Sequence, residues 1–298
     1  MADALHRELR RALPGLELRQ EEPLRNYTSF GIGGPAKYLA LPADSEELAS
    51  LCALLRSLGV RPVLLGNGSN VLAPDGGIDG VVIVTRRAAA MLRQGETLLA
   101  DCGASLTKLA ALAAEEGLTG LEFAYGIPGT LGGALIMNAG AYGGEMKDVT
   151  VRADFLDGEL QRRSAAGEEL GFGYRRSRFG AEDVVLRAEL RLRPGDPEAI
   201  RARCRELTEK RRASQPLELP SAGSAFKRPE SGYAAALIDQ AGLKGYRVGG
   251  AQVSEKHAGF VVNRGGATAA DVKQLLEDVR RMVYDRSGIL LEPEIRML

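Results

Sequence analysis

The chain has 298 residues, enough for two or three domains and a large buried core, which excludes a single small disulfide-stapled module. Its 39 basic residues balance its 39 acidic ones. No overall field therefore attracts nucleic acid or an anionic membrane, and any anionic ligand must be held by local groups.

The cysteine and histidine content predicts a cytoplasmic protein without a metal centre. The cysteines are few and widely spaced: Cys52, Cys102 and Cys204. We find no apolar signal segment at the N-terminus. Two histidines and no Cys-x-x-Cys pair leave too few ligands for zinc or iron. The uncharged stretch 123–144 has the length of a membrane span, but its glycines and Pro128 predict a buried loop.

The first part of the chain alternates helices, strands and glycine loops. Residues 3–13 have helical spacing and precede the first glycine loop, so we expect an N-terminal extension over residues 1–21. The elements predicted next are a helix at 46–58, strands at 63–65 and 81–84, a strand at 98–102, a helix from Ser105 to Ala114, strands at 151–155 and 184–192, and a hairpin turn at Asp157-Gly158 between the last two.

A break at Pro194-Gly195-Asp196-Pro197 marks the clearest domain boundary, because two prolines and a glycine end a strand and start a helix. Beyond it we predict helices at 198–213 and 233–241, a strand at 260–262, a helix capped by Thr268 and Asp271 that runs to about 284, and a terminal strand at 290–297. The fold class is therefore α+β. No Gly-x-Gly-x-x-Gly sequence lies between a strand and a helix, which excludes a Rossmann dinucleotide site.

Two glycine-rich segments are the strongest candidates for ligand binding. The loop 66–70 follows a buried strand, where free N–H groups can converge on a pyrophosphate. On its own, such a loop is more typical of a tight strand-to-strand turn. The segment 126–143 has more glycines than a plain loop needs, which indicates close approach of the backbone to a flat ligand. We interpret Gly68 as a position where a β-carbon would block the pyrophosphate.

Six motifs occur in the order found in UDP-N-acetylenolpyruvoylglucosamine reductases, and the chain resembles that family from about residue 22 onward. The motifs are Asn26-Tyr27-Thr28-Ser29-Phe30-Gly31-Ile32-Gly33-Gly34, residues 66–70, residues 126–143, Tyr174-Arg175-Arg176-Ser177, Gly223-Ser224-Ala225-Phe226-Lys227 and Leu291-Glu292-Pro293-Glu294. The short run 179–224 is similar to the subclass without an extra tyrosine-bearing loop.

The resemblance implies a cytoplasmic, FAD-dependent enzyme that uses NADPH to complete UDP-N-acetylmuramate for peptidoglycan. It implies an FAD-binding unit of the vanillyl-alcohol-oxidase type over residues 22–196, with subdomains at about 22–87 and 88–196, and a substrate-binding domain over residues 197–298. We expect non-covalently bound FAD, NADPH as co-substrate, small-molecule partners only, and a monomer.

The resemblance also implies the catalytic residues Arg175, Ser224 and Glu294. Hydride addition to the enolpyruvyl ether leaves charge on an enolate, for which Arg175 offers a fork of donors. Glu294 orients that fork or shares a proton with the intermediate, and Ser224 protonates the adjacent carbon. Without the resemblance, each of the three is more typical of an ordinary polar surface residue.

The remaining site residues follow from the same resemblance. Those expected to bind the cofactor are Tyr27, Gly66, Asn67, Gly68, Ser69, Asn70, Gly126, Ile127, Pro128, Gly129, Thr130, Gly132, Gly133, Asn138, Ala139 and Gly140. Those expected to bind the substrate are Tyr142, Tyr174, Lys227 and Arg228. Arg228 stands where the family commonly has asparagine, which adds charge suited to a diphosphate. His257 is left out of the catalytic set, because a histidine beside a strand is more often structural.

Two other interpretations stay open at the level of sequence. One is a flavin oxidoreductase of the same fold that oxidises a sugar or hydroxy acid, which lack of NADPH-driven turnover would support. The other is a catalytically silent flavin-binding regulator, which fast reduction of bound flavin by NADPH would exclude.

Overall fold

The computed structural model describes residues 2–298 and contains both helices and sheets, which confirms the α+β class. The helices of these residues are α1 (Ala2–Ala12), α2 (Ser45–Ser57), α3 (Leu106–Glu115), α4 (Leu131–Ile136), α5 (Pro197–Ser214), α6 (Ala234–Gln240) and α7 (Ala269–Ser287).

The strands are short and belong to several small sheets. In chain order they are β1 (Glu17–Pro23), β2 (Pro35–Leu41), β3 (Val63–Leu65), β4 (Val71–Leu72), β5 (Ile78–Val84), β6 (Met91–Gln94), β7 (Thr97–Asp101), β8 (Leu118–Thr119), β9 (Gly140–Ala141), β10 (Gly144–Glu145), β11 (Thr150–Leu156), β12 (Arg162–Ala166), β13 (Val184–Arg191), β14 (Arg193–Pro194), β15 (Ser221–Ser224), β16 (Arg247–Val248), β17 (Ala251–Val253), β18 (Phe260–Asn263) and β19 (Arg296–Met297).

Three sheets carry most of the pairing. Their strand orders are β1-β2-β5-β3, β12-β11-β13-β7-β6 and β15-β18-β17-β16. The β3–β5 pair is parallel, whereas the pairs of the five-stranded sheet are antiparallel. A separate parallel pair joins β19 to β4.

The chain folds into two compact units, and each unit is made of three separate segments of the sequence. Unit 1 comprises the chain up to Arg19, Tyr38–Asn67 and Gly80–Glu209. Unit 2 comprises Gln20–Lys37, Gly68–Asp79 and Lys210–Leu298. The cuts between these units do not coincide with the predicted domain boundaries at 21, 87 and 196, because segments from distant parts of the chain pack into one core.

Helix α1 is part of the core of unit 1, so its interpretation as an appendage is wrong. Leu9 is fully buried in the same apolar cluster as Leu48 and Leu55 of α2. The Arg10 guanidinium donates to the carbonyl oxygens of Leu16, at 3.1 Å, and Leu18, at 2.9 Å. These bonds fix the helix to the start of β1. Burial of the apolar face of α1 stabilises its packing in the core of unit 1.

Helix α7 is the longest element of unit 2 and packs its apolar face into a second core. Val272, Leu275 and Val279 are buried there. The predicted cap is confirmed: the Thr268 hydroxyl accepts from the Asp271 N–H at 3.0 Å, and the Asp271 carboxylate accepts from the Thr268 N–H at 3.0 Å. The Asp75 carboxylate accepts from the Ala269 N–H, at 2.7 Å, and the Ala270 N–H, at 3.1 Å, which anchors the loop after β4 on this helix.

Three local predictions differ from the structure. The β11–β12 connection spans residues 157–161, and not a two-residue turn, because the Asp157 carboxylate accepts from the N–H groups of Glu159 and Gln161. The terminal strand shortens to β19, and residues 292–294 instead pair with residues 225–227 in an isolated bridge between Phe226 and Pro293. The uncharged stretch is not one buried loop: it folds into α4 and the strand β9.

Among the described residues 2–298, no helix combines the length and the apolar character needed to span a bilayer.

Candidate active site

The two predicted ligand loops meet in unit 1. Asn67 Nδ2 donates to the carbonyl oxygen of Pro128 at 3.0 Å. Thr130 packs directly on Gly66: a β-carbon built at Gly66 would lie 2.3 Å from Thr130 Oγ1. Glycine at position 66 is therefore required by close packing of the loops, and the structure brings residues 66–67 and 126–130 together.

The second loop is held in place by backbone bonds to the connection between β7 and α3. The Leu131 N–H donates to the Ala104 carbonyl and the Gly132 N–H donates to the Cys102 carbonyl, both at 2.8 Å. A β-carbon at Gly132 would come within 3.1 Å of Cys102 Cβ, so glycine permits this close approach. Burial raises the pKa of the Cys102 thiol to about 12, so the group behind the loop stays neutral.

The charge around these loops suits an anion. Residues 66–70 and 126–133 contain no acidic side chain. Arg86, just after β5, donates from Nη2 to the Asn67 carbonyl oxygen at 3.3 Å and brings a positive charge to the first loop. Sequence reasoning missed Arg86, because in so arginine-rich a chain one more arginine carries little information; its position directly after a strand that pairs with β3 was the available signal.

In unit 2, Gly68 packs closely on the Tyr27 segment. Its φ is +60°, and a β-carbon there would lie 2.1 Å from the Tyr27 carbonyl oxygen. The Ser29 N–H also donates to the Gly68 carbonyl at 3.0 Å. The backbone of the Tyr27 segment therefore excludes a side chain at this position. Tyr27 is buried, and its hydroxyl donates to Glu22 Oε1 at 3.2 Å.

Unit 2 brings Ser224 and Glu294 onto adjacent backbone segments. The Glu294 N–H donates to the carbonyl oxygen of Ala225, the residue after Ser224, at 2.9 Å. Ser224 is exposed at the end of β15, where it pairs with Phe260. From the other side, Asn70 Nδ2 donates to the Glu294 carbonyl at 3.2 Å and the Asn70 carbonyl accepts from the Arg296 N–H at 3.0 Å. Ser69, Asn70 and β4 therefore lie in the same unit as this pair.

The predicted substrate cations of unit 2 have partners on the protein. The Lys227 ammonium forms an ion pair with Glu292, and the Lys227 N–H donates to the Glu292 carbonyl at 2.8 Å. The Arg228 guanidinium lies 4.0 Å from the centre of the exposed Tyr233 ring. An anionic ligand that binds here must compete with the Glu292 carboxylate for Lys227.

Arg175 belongs to unit 1, where it occupies a tight turn. The Gly173 N–H donates to the Arg176 carbonyl at 3.0 Å, and the Arg176 N–H returns a bond to the Gly173 carbonyl at 3.2 Å. Arg175 has φ +54°, a left-handed backbone that favours glycine. Its guanidinium carbon lies 5.2 Å from the centre of the Tyr174 ring, and the Tyr174 side chain is exposed.

The remaining predicted residues follow α4. Asn138 is buried, and its side chain bonds to protein groups, Glu145, Lys147 and Gly173. The Ala139 N–H donates to the Ala134 carbonyl at 2.8 Å. Gly140 opens the hairpin β9–β10, and Tyr142 stands exposed at its tip with φ +53°.

His257 is half-buried beside β18. Its Nδ1 accepts from the Gly259 N–H at 3.1 Å, and its ring meets the Phe260 ring edge-on at 5.0 Å. Burial lowers the pKa of the imidazole, and the Lys244 ammonium acts in the same direction. These contacts are those of a structural histidine.

Comparison with known proteins agrees with this geometry. A family model described as an FAD binding domain matches residues 36–161, and one described as the UDP-N-acetylenolpyruvoylglucosamine reductase C-terminal domain matches residues 215–298. UDP-N-acetylenolpyruvoylglucosamine reductase of Caldanaerobacter subterraneus subsp. tengcongensis is 45% identical over 100% of this chain and 99% of its own. That of Heliobacterium modesticaldum is 48% identical over 94% and 90%.

Solved structures show the same likeness. The crystal structure of the reductase from Thermus caldophilus has a TM-score of 0.78 at 36% identity, and covers 95% of this chain and 98% of that one. Alkyldihydroxyacetonephosphate synthase, at TM-score 0.50 and 18% identity over 64% of this chain and 40% of that one, shares the fold alone.

The fold and the converging glycine loops define a flavoprotein oxidoreductase with an FAD-binding unit and a distinct C-terminal domain. Within that class, the chain belongs to the UDP-N-acetylenolpyruvoylglucosamine reductase family. It is an FAD-dependent enzyme of peptidoglycan precursor synthesis, which confirms the resemblance found in the sequence.

Proposed function

We propose that this protein uses NADPH to reduce UDP-N-acetylglucosamine enolpyruvate to UDP-N-acetylmuramate. The observation that carries the proposal is the backbone bond, 2.9 Å long, that sets Glu294 beside the residue following Ser224. It supports the proposal because it joins the backbone segments that carry Ser224 and Glu294, the residues proposed to supply the two proton-handling groups that reduction of an enolpyruvyl ether requires. In this proposal the enzyme is a cytoplasmic monomer that binds only small molecules.

The residues present fit FAD. Close packing of Gly66 on Thr130 and the absence of acidic side chains from both loops leave glycine backbone available to a pyrophosphate, with Arg86 beside it. Asn67, Gly126, Ile127, Pro128, Gly129 and Thr130 are the unit 1 residues proposed to hold it. Once bound and reduced by NADPH, FAD would supply the hydride that adds to the methylene carbon of the substrate.

Arg175 stabilises the charge that develops on the substrate. Its planar guanidinium donates to the carboxylate and enolate oxygens together, a geometry that a lysine ammonium does not reproduce. The left-handed backbone of Arg175 supports this role, because such strain is retained where the surrounding structure dictates the position of a side chain.

Ser224 protonates the adjacent carbon, and Glu294 shares a proton with the enolate. A serine hydroxyl is a weak acid, so the step depends on the basicity of the carbanion and on the nearby Lys227 ammonium. Lys227 and Arg228 bind the anionic groups of the substrate, with Tyr142 and Tyr174 against its apolar parts. The Lys227–Glu292 pair is partly exposed, and such pairs contribute only about 0–1 kcal/mol, so an anionic ligand displaces it readily.

The test is an absorbance assay of NADPH consumption with and without UDP-N-acetylglucosamine enolpyruvate under anaerobic conditions. We expect consumption only with the substrate, and a product that has gained two hydrogen atoms by mass spectrometry. No NADPH consumption beyond reduction of the bound flavin when the substrate is present, or flavin that NADPH does not reduce, would overturn the proposal in favour of an oxidase or a silent flavin-binding protein.

A further inference from the structure

Asn138 has its whole side chain engaged by the protein. It is 1% exposed and has φ +41°. Its Nδ2 donates to Glu145 Oε2 and, at 3.1 Å, to the Gly173 carbonyl oxygen, while its Oδ1 accepts from the Lys147 N–H at 2.9 Å. The amide therefore links three segments of unit 1.

One of these bonds reaches the turn that carries Arg175. Gly173 is the first residue of that turn and exchanges two backbone bonds with Arg176. On the other side of the turn, the Ser177 hydroxyl donates to the Ile136 carbonyl at 3.1 Å. The turn is thus fixed at both of its ends to the residues that close α4.

Helix α4 connects this turn to the glycine loops. It begins after Thr130, which packs on Gly66, and its six residues span about 9 Å at the rise of an α-helix. Its first two N–H groups are bonded to the β7–α3 connection. A short, anchored helix of this kind holds its two ends at a constant separation.

We propose that Asn138 is a positioning residue for Arg175: it holds the Arg175 turn on the end of α4, and so sets the guanidinium at a constant distance from the glycine loops. The proposal rests on the proposed function for the role of Arg175. Its structural part, that the Asn138 amide fixes the turn, stands independently. Strain at Arg175 agrees with it, because a left-handed residue persists only where neighbouring contacts impose that backbone.

The test uses a pair of substitutions that removes the donor to the Gly173 carbonyl and keeps the other two bonds of residue 138. The Glu145–Lys147 ion pair is lost in this double variant and in its control alike. In the double variant Asn138→Asp/Glu145→Gln, the new amide at position 145 donates to the new carboxylate at position 138, and the Lys147 N–H keeps its acceptor. The donor to the Gly173 carbonyl is lost. Asp tolerates a left-handed backbone as Asn does. The single variant Glu145→Gln keeps all three bonds and is the matched control.

Two readouts decide the proposal. In hydrogen exchange followed by mass spectrometry, residues 173–178 of the double variant should exchange faster than in the control, with residues 131–135 unchanged. In stopped flow, reoxidation of the flavin by the enolpyruvyl substrate should slow by about 10- to 100-fold, the scale of a misplaced catalytic group, while flavin content stays at the control level. When the double variant is combined with Arg175→Lys, the rate of flavin reoxidation should fall by less than the product of the two separate fold-losses.

Unchanged exchange at residues 173–178 overturns the proposal whatever the kinetics. So does reoxidation as fast as in the control, or loss of flavin together with equal slowing of both half-reactions, which indicates a general structural role. If the wild-type protein itself shows no reoxidation by the substrate, the proposed function fails, and the exchange result still decides whether Asn138 fixes the turn.

Discussion

At the scale of single residues, the candidate site concentrates left-handed backbone. Among residues 2–298, the non-glycine residues with positive φ are Glu21, Asn138, Tyr142, Leu160 and Arg175. The site residues in this set are Asn138, Tyr142 and Arg175, each at a cost of about 1–3 kcal/mol. Tyr142 and Arg175 cannot be recognised as such positions from residue type, whereas asparagine at position 138 is a residue that tolerates this backbone.

Ser224 separates the two half-reactions. Reduction of the flavin by NADPH needs no proton from the protein to a substrate carbon, so Ser224→Ala should leave that phase nearly intact. Reoxidation should slow by about 10²- to 10⁴-fold, the contribution of a positioned acid. Ser224→Cys, which restores an acidic hydrogen, should recover part of the rate. Stopped-flow traces at the flavin absorbance measure both phases; equal slowing of the two phases by Ser224→Ala would count against a proton donor.

Gly66 tests the packing of the two ligand loops. Gly66→Ala sets a β-carbon 2.3 Å from Thr130 Oγ1, which should lower the free energy of unfolding by about 1–3 kcal/mol and reduce flavin content. Removal of the hydroxyl in Gly66→Ala/Thr130→Ala should restore part of the stability. Gly76→Ala is the control, since nothing lies within 4 Å of a β-carbon there. Urea denaturation and the flavin-to-protein absorbance ratio are the measurements, and a fully stable Gly66→Ala protein would contradict the packing argument.

His257 should make the protein less stable at mildly acidic pH. Burial lowers the pKa of the folded imidazole below the unfolded value of about 6.5. Between these two pKa values the unfolded chain binds more protons, so the free energy of unfolding falls as pH drops below about 6.5. His257→Asn, whose oxygen still accepts from the Gly259 N–H, should lose this part of the pH dependence. Urea denaturation at about pH 7.5 and 5.5 measures the free energy of unfolding of both proteins. The same change in this free energy between the two pH values in both proteins would refute the prediction.

At the scale of elements, periodicity and capping residues predicted most helices and long strands. The predicted helix at 46–58 is α2, and the predicted helix from Thr268 is α7 with both of its capping bonds. Ser105 lies at the N-cap of α3, without a side-chain bond to the helix. Predictions succeeded where the deciding interactions lie within a few residues of each other. They failed where those interactions are distant: the predicted terminal strand divides into a bridge from Pro293 to Phe226 and the short strand β19 paired with β4.

Helix α1 shows how an element becomes essential through packing. Leu9 is fully buried among residues of α2, so Leu9→Ala should cost about 2–5 kcal/mol of unfolding free energy. Arg7→Ala on the exposed side of the same helix should change it by less than about 0.5 kcal/mol. Thermal and urea denaturation of both variants provide the comparison. Similar stability of the two variants would restore the interpretation of α1 as a dispensable extension.

At the scale of the whole molecule, FAD should be held by non-covalent contacts. Covalent links in this fold commonly use histidine, whereas His6 lies on α1 and His257 precedes β18, outside the glycine loops. Acid precipitation should therefore release all of the flavin to the supernatant, and colour retained in the pellet would disprove this. Addition of free FAD to the apoprotein should also raise the unfolding temperature with flavin concentration, because only the folded state binds it.

The sequence alone determined the fold class, the family and the cofactor, because motif order and local periodicity depend on residue types and short spacings. For the candidate site it supplied a set of proposed residues that did not include Arg86. Only the tertiary structure decided which distant segments meet: residue 66 with Thr130, Glu294 with the segment after Ser224, and Gly173 with Asn138. It also decided that α1 belongs to a core and that Gly68 makes room for protein backbone. These contacts join residues far apart in the chain, and their energies come from close packing and burial, which no local pattern encodes.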